Sequence, residues 1–579
     1  MSTQTGNSGS ICKPGLPFQL PKGFKPDDFL YGENGPWPCQ PGDDNACKVA
    51  PEVLLEGPHC IPKSDLDDWK KHLEDYYVLN FFPHFVESSI KYSAALLDIS
   101  LSIGYEAEIA FDIVEWYARE TPKDHGDSTG RYPGLSDSTF TDMIAHGLLS
   151  KLLSGLDSPD KSLFQGFLNN EALEFWKCDL THMRAVRKPL EGEYVAPSIV
   201  LLSRPRSPAP GQEYDFRVEA IRIFVQSQAG GPYDHGALLS PGDGKAWQLA
   251  KYFALQGALV RVNLIDHPMV HFPCDAINAI TKSVLPKSNR VLQLLLPHLR
   301  LSLPVDNAVL EGKHSLLNRT ANFPYSPYPA KGEEIRKVFP FYWVGAGTTS
   351  DAAESWALDR SNAFPPYQFR TEPRQIPSKY GSFLNAYYQP ILNFATGVVA
   401  SIEDDGKNWE AISFWADHVA SWIPGFPDGR AIYKNIDLLA KTCASIIWNG
   451  AIVHTADHWL MHQMFEQKLP TPYILRDQPP VSACPGVDPD YRPAARLIRD
   501  IIPARLCDEM FFLPHSTTLL SEFKYEFANE LGPLIEIFRK EMIATDKQLH
   551  QQFPEFGISL YAAGDQDPAK DCFAAGVQF

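Results

Sequence analysis

Apolar residues change their spacing along the chain, and the changes mark its parts. Up to about residue 65 they follow neither a period of 2 nor one of 3.6. Segments such as Lys13-Pro14-Gly15-Leu16-Pro17 and Gly35-Pro36-Trp37-Pro38 are interrupted by proline and glycine, which predicts an irregular or partly disordered arm over residues 1–65. From Leu66 the spacing becomes helical. Asp65 is placed to cap a helix carrying Trp69, Leu73, Tyr76 and Tyr77, and apolar-rich helical segments follow near 80–120 and 138–176. A β signal appears at 193–202 and again at 214–228, where Phe216, Val218, Ala220, Ile221 and Ile223 partly alternate with polar residues. No internal repeat is present.

The most apolar helical stretch contains two histidines. Ile446, Ile447, Trp448, Ile452 and Val453 surround the run that ends in His454 and His458, so this helix is expected in the core, where a histidine pair needs a chemical reason. Residues four apart on a helix share a face, so both imidazoles can reach one metal ion. The same spacing recurs at His267 and His271. With 17 histidines in 579 residues, chance supplies roughly half of one such pair. This chain has a third, His458 with His462, which shares a member with the first and reads as a bystander. A buried, hydrogen-bonded histidine is the ordinary alternative for any one pair taken singly.

Composition narrows the partners. The length suggests several domains at about 150 residues each, although large helical enzymes exceed that. An apolar fraction of 44% with 34 Phe, 23 Tyr and 12 Trp suffices for a large interior or a roomy apolar pocket. The net charge of -18, from 52 basic and 70 acidic residues, argues against nucleic acid and against electrostatic attachment to anionic membranes, leaving only weak hydrophobic membrane contact open. No signal segment and no run of 18 apolar residues is found, so a cytoplasmic location is expected. Cys12, Cys39, Cys47 and Cys60 cluster in the arm, where free thiols are favoured over two disulfides, and the other six cysteines are scattered.

Further runs stand in order around the two histidine pairs. Trp247-Gln248-Leu249-Ala250-Lys251 precedes the first; Leu294-Leu295-Leu296-Pro297-His298-Leu299-Arg300 and Ser315-Leu316-Leu317-Asn318 come after it. Asp405-Gly406-Lys407-Asn408-Trp409-Glu410-Ala411-Ile412, with Trp415, precedes the second pair; Arg505-Leu506-Cys507-Asp508-Glu509, Phe523-Lys524 and Leu534-Ile535-Glu536-Ile537 come after it. This order and spacing resemble the lipoxygenases over roughly residues 247–542. The resemblance implies a mainly α fold: one large helical catalytic domain over 66–579 with a small β element and no N-terminal β-sandwich.

It also implies a single non-haem iron ion, or manganese as in some fungal members. Carried over, the ligands are His267, His271, His454, His458 and the terminal carboxylate of Phe579. The three-residue gap between His267 and His271 is closest to the fungal manganese type, and His458 stands where the family often has Asn. Pro268 and Pro273 require the first ligand helix to kink or to begin there. An ungapped alignment from Trp247 sets Val262 opposite the family's first ligand and His267 opposite its second. Pairing His267 with His271 is preferred because Asp275 then falls where the family has an acidic residue. Most members end in Ile or Val after an Asn-Ser pair, whereas this chain ends Ala575-Gly576-Val577-Gln578-Phe579.

Neutral imidazoles and one carboxylate suit a metal that cycles between M(II) and M(III) with one position for water. The implied reaction is dioxygenation of a polyunsaturated fatty acid: M(III)-bound hydroxide takes a hydrogen atom from a doubly allylic CH2 to leave M(II) and water, O2 adds to the pentadienyl radical, and the resulting peroxyl takes back the electron from M(II) and the proton from that water to give the hydroperoxide. Gly312 lies near a position tied to product chirality in the family, with a turn glycine as the ordinary alternative. Arg496 and Arg499 are candidates for the substrate carboxylate, with surface arginines as theirs; Arg300 reads as structural. A monomer or a dimer is expected. A zinc hydrolase would need a glutamate where Pro268 and Thr455 stand, and a di-metal bundle would need Glu-x-x-His pairs that are absent. Two alternatives stay open: oxidation of an unsaturated secondary metabolite, and a metal-free binding homologue.

Overall fold

The computed structural model describes residues 21, 23–30, 131–209, 211–300, 328–338, 368–467, 469–483, 491–494 and 518–577. Most of the arm expected at 1–65, its boundary and the helices expected between 66 and 120 lie outside the described residues. One piece of the arm is described: a single helical turn, Pro26–Asp28, beside the buried ring of Phe29. The backbone of Lys287 donates to the carbonyl of Asp28 at 2.8 Å, fastening this piece to the helical core.

Helices dominate the described residues. In chain order those that position the site are α1 (Asp137–Ala145), α2 (Gly244–Arg261), α3 (Pro268–Val284), α4 (Lys379–Ala386), α5 (Tyr388–Ala400), α6 (Gly406–Trp422), α7 (Ile436–Ile447), α8 (His454–Glu466) and α9 (Gly532–Gln552). Several begin at a side-chain cap that satisfies an orphan backbone donor: Ser136 for α1, Ser378 for α4, Asp405 for α6 and Asn435 for α7. Asp405 thus explains the start of the Asp-Gly-Lys-Asn-Trp run.

The β element lies before α2. Strands β1 (Leu153–Gly155), β2 (Leu173–Asp179), β3 (Ser198–Pro205), β4 (Arg217–Ile223), β5 (Val225–Gln226), β6 (Tyr233–His235) and β7 (Leu238–Leu239) form an antiparallel sheet ordered β1-β2-β3-β4-β7 and a separate β5-β6 hairpin. The two β signals of the sequence therefore appear as β3 and β4, with Ser198 opposite Ile223. Both faces of β3 are covered. Val200 and Leu202 join the main core, while Ile199 and Leu201 pack with Phe164 and Ala220. That is why β3 reads as a continuous apolar run and not as an alternation.

The helix expected over 138–176 is corrected. The stretch is broken into α1, the short strand β1, a six-residue helix at Ser158–Leu163 and single helical turns, and Leu173–Asp179 is β2. Local helix preference there loses to pairing with β3, from Leu173 opposite Pro205 to Asp179 opposite Ile199.

α2 is buried on nearly every side and lies against β3 and β4. It carries the Trp-x-x-Ala-Lys run, and the structure explains both ends of it. Asp137 Oδ1 accepts from Trp247 Nε1 at 2.8 Å and from Lys251 Nζ at 2.6 Å, and Lys251 also donates to the carbonyl of Leu135 at 2.6 Å. Lys251 is fully buried, and burial pulls its pKa down against the opposing effect of Asp137. α6 is tied to α3 by Trp415 Nε1 donating to Thr281 Oγ1 at 2.9 Å. α7 and α8 belong to one helical run, Ile436–Met464, long and apolar enough by composition to cross a membrane; its apolar window is 72% buried in the fold, as a core helix is.

Replacing Asp137 by Ala leaves the buried Lys251 ammonium and the Trp247 indole short of an acceptor. The unfolding free energy in urea is expected to drop by about 1–3 kcal/mol, and a change within error would show that the pair is not part of the folding core.

Candidate metal centre

Each histidine pair comes directly after a widened turn of helix. Val262–Asp266, between α2 and α3, is π-helical, and the amide of His267 donates to the carbonyl of Val262 five residues back at 2.9 Å. Trp448–Val453, between α7 and α8, is π-helical as well, and the amide of His454 donates to the carbonyl of Asn449. A π turn holds an extra residue, so it rotates the next helical turn about the axis. Both rotations present a histidine to the space between the two helices. Pro268 takes the first position of α3, where its missing N–H costs nothing, so the helix begins there as the sequence required.

The four imidazoles converge. His267 Nε2 lies 2.9 Å from His271 Nε2, which lies 3.0 Å from His454 Nε2, which lies 3.1 Å from His458 Nε2. One ligand atom from each ring lies within 4.8 Å of every other, and all four residues are buried. Val262, the alternative first ligand, is buried within the π turn and has no ligand atom to offer.

Such an arrangement fits a metal ion by its own chemistry. Two neutral imidazoles cannot bond through two lone pairs, and burial holds His267, His271 and His454 below their usual pKa, the last two far below, with the neighbouring imidazoles adding to the effect on those two. Electron-rich nitrogens are thus forced together where protons are disfavoured. Nitrogens held at about 2.1 Å by one ion at right angles stand about 3.0 Å apart, which is the spacing found here.

Behind His267 stands a group that the sequence reading missed. Asp457, almost wholly buried, has Oδ2 at 3.4 Å from His267 Nδ1 and 2.6 Å from Lys151 Nζ, while its Oδ1 accepts from Tyr380 OH at 2.8 Å. Burial would raise the pKa of this carboxyl, but Lys151 and the bonds from His267 and Lys151 bring it down to about 2. A signal was available: an aspartate one residue before a ligand, inside an apolar helix, needs a partner.

Residues 574–577 pack against the second ligand helix and His298. Ala574 N donates to Thr455 Oγ1 at 3.2 Å, and the carbonyl of Ala575 accepts from His298 Nδ1 at 2.5 Å, with His298 Nε2 then accepting from Tyr525 OH at 2.9 Å. Gly576 is required here, because a Cβ would stand 2.1 Å from the carbonyl oxygen of His298. Val577 is buried, 3.7 Å from a Cβ built at Gly450 in the π turn before His454. His298 of the Leu-Leu-x-Pro-His-x-Arg run therefore anchors the tail, and Arg300 donates to Thr518 Oγ1 at 3.2 Å. Phe579, Gly312, Arg496 and Arg499 lie outside the described residues.

Among solved structures, the manganese lipoxygenase of Gaeumannomyces graminis superposes with a TM-score of 0.53 at 14% identity, over 87% of this chain and 90% of that one. A coral 8R-lipoxygenase gives 0.53 at 13% identity, over 87% and 74%. The fold is that of the lipoxygenases. A lipoxygenase variant crystallised anaerobically in complex with arachidonate gives 0.53 at 14% identity, over 86% and 74%. No family model matches the sequence, and no curated protein matches it either. The lipoxygenase likeness is thus one of fold, and the four-histidine cluster sits in the core of that fold as a group able to hold a metal ion.

Burial also makes this lipoxygenase fold sensitive to acid. His182, His267, His271, His298 (pushed down to about 4) and His454 all have pKa values below the ordinary 6.5, with desolvation the largest cause in each. The folded chain keeps these rings neutral while the unfolded chain takes up protons. Stability is therefore complete above pH 6.5 and is lost as pH falls below it, by up to about 1.4 kcal/mol per pH unit for each ring. Chelator-treated protein is expected to lose melting temperature steadily as pH falls from about 6.5 to about 5; a flat profile would contradict the burial of neutral rings.

Proposed function

We propose that the chain is a lipoxygenase-type dioxygenase that adds O2 to the 1,4-pentadiene of a polyunsaturated fatty acid and releases a hydroperoxide. One observation carries the reading: four buried imidazoles from two helices turn their Nε2 atoms to one point, and the reaction needs a redox metal in an apolar interior. His267, His271, His454 and His458 would hold that ion, iron or manganese, with the carboxylate of Phe579 as a fifth ligand. Support for the fifth comes from Val577, which is buried against the second π turn.

Bound in this way, the metal supplies one-electron redox chemistry and a basic oxygen ligand for hydrogen-atom transfer. The chain's own contribution is different. Apolar residues around the cluster, Ile447, Ile452 and Val453 among them, keep water away from a carbon radical. No side-chain acid or nucleophile is required. Neutral imidazoles leave the ion's charge to be balanced by the chain-end carboxylate and by Asp457 behind His267. The solved neighbour in complex with arachidonate supports a fatty-acid substrate. Arg496 and Arg499 are the proposed anchors of its carboxylate, and Gly312 the residue proposed to set which face meets O2.

The test joins metal analysis to oxygen uptake. Purified full-length protein is expected to carry iron or manganese near one ion per chain, to consume O2 with linoleic acid and to form a conjugated hydroperoxide seen by its ultraviolet absorbance. His454→Ala should lose both the metal and the uptake. Protein that holds a redox metal but leaves linoleic and linolenic acids unchanged would contradict the substrate, and His454→Ala with full metal content would contradict the site.

A further inference from the structure

Asp457 precedes His458 on α8, yet its carboxylate is turned across the gap to His267 at the start of α3. Three separate elements hold it there. Lys151 comes from the short helical turn Leu148–Leu152 and is itself largely buried, with 11% of its side chain exposed. Tyr380 comes from α4 and is fully buried. α4 is tied back to the Lys151 turn by Ser150 Oγ, 2.8 Å from Ser378 Oγ at the cap of α4. The carboxylate is therefore fixed at both oxygens, one shared between Lys151 and His267, the other taken by Tyr380.

A buried ion pair alone would be weak grounds for a role, since such pairs are often replaceable by apolar residues without loss. The third contact changes that. An ionised carboxylate can only accept, so the nitrogen of His267 that faces it must carry the ring proton, and the opposite nitrogen must present a lone pair. That opposite nitrogen is the Nε2 that stands 2.9 Å from His271 Nε2. The separation of 3.4 Å to Asp457 is at the long end of a hydrogen bond. It nevertheless points the ring one way and places a negative charge behind it.

We propose that Asp457 is a positioning residue of the metal centre: held by Lys151 and Tyr380, it fixes the tautomer and direction of His267 and makes that imidazole the more strongly donating ligand. The inference rests on the metal-binding reading above. A carboxylate behind a ligating imidazole raises its basicity, which strengthens metal binding and favours the higher oxidation state.

The test uses chelator-stripped full-length protein titrated with Mn(II) or Fe(II) alone, in the presence of a competing chelator. Asp457→Ala and the isosteric Asp457→Asn are expected to bind about 10–100-fold more weakly than the parent. The metal that Asp457→Asn retains at saturation should show a more positive M(III)/M(II) midpoint potential, a change that loosened packing alone does not produce. Tyr233→Phe serves as the control, because it deletes a buried hydroxyl bonded to the carbonyl of Val186 at 2.6 Å, outside the cluster; it should leave metal affinity unchanged. Parent-like affinity and potential in Asp457→Asn would overturn the inference while leaving the metal reading intact. Equal weakening in Tyr233→Phe would reduce Asp457 to a packing residue and overturn it as well. A parent chain that binds neither ion would overturn the metal reading and this inference together.

Discussion

Four imidazoles, buried and turned nose to nose at about 3 Å, impose the constraint on which the rest of this structure depends. Lone pairs at that distance repel, and desolvation removes the simplest remedy, protonation. A sequence that only needed a stable core would place leucine or isoleucine at such positions. The surrounding architecture instead maintains the arrangement: π turns aim the first histidine of each pair, Asp457 turns one ring, and the tail residues Ala574–Val577 close the side next to Gly450. Placing these features in one interior demands rigid support, which the clamp of Trp247 and Lys251 on Asp137 and the bond from Trp415 to Thr281 supply.

What could be read from the sequence was what repeats at short range. The i, i+4 spacing of His267 with His271 and of His454 with His458 needed only the helical period, and the break at Pro268 came from the missing amide. β3 and β4 were visible because apolar residues crowd or alternate over short stretches. β2 was not, since Leu173–Asp179 has an equivocal local pattern and becomes a strand only through its partner β3.

Features fixed by distance in space were harder to see. The π turns leave no residue signature: each is an ordinary apolar segment that takes an extra residue so that a histidine points inward. Asp457 was overlooked because its partners come from positions 151, 267 and 380, and no local period joins them. The runs that carried the resemblance also acquired physical meanings. Lys251 is a buried clamp, Asp405 a helix cap and His298 the anchor of the tail. Such roles depend on a few side chains, so the fold can persist where only 13–14% of residues match those of solved lipoxygenases.

The central claim is that one ion would sit among these four nitrogens. X-ray absorption at the metal edge of iron- or manganese-loaded protein tests it most directly, because imidazole rings give a characteristic outer-shell scattering that counts them. The account predicts four imidazoles around the ion in the parent and three in His271→Ala. A centre with two or fewer imidazoles, or one unchanged by His271→Ala, would contradict it.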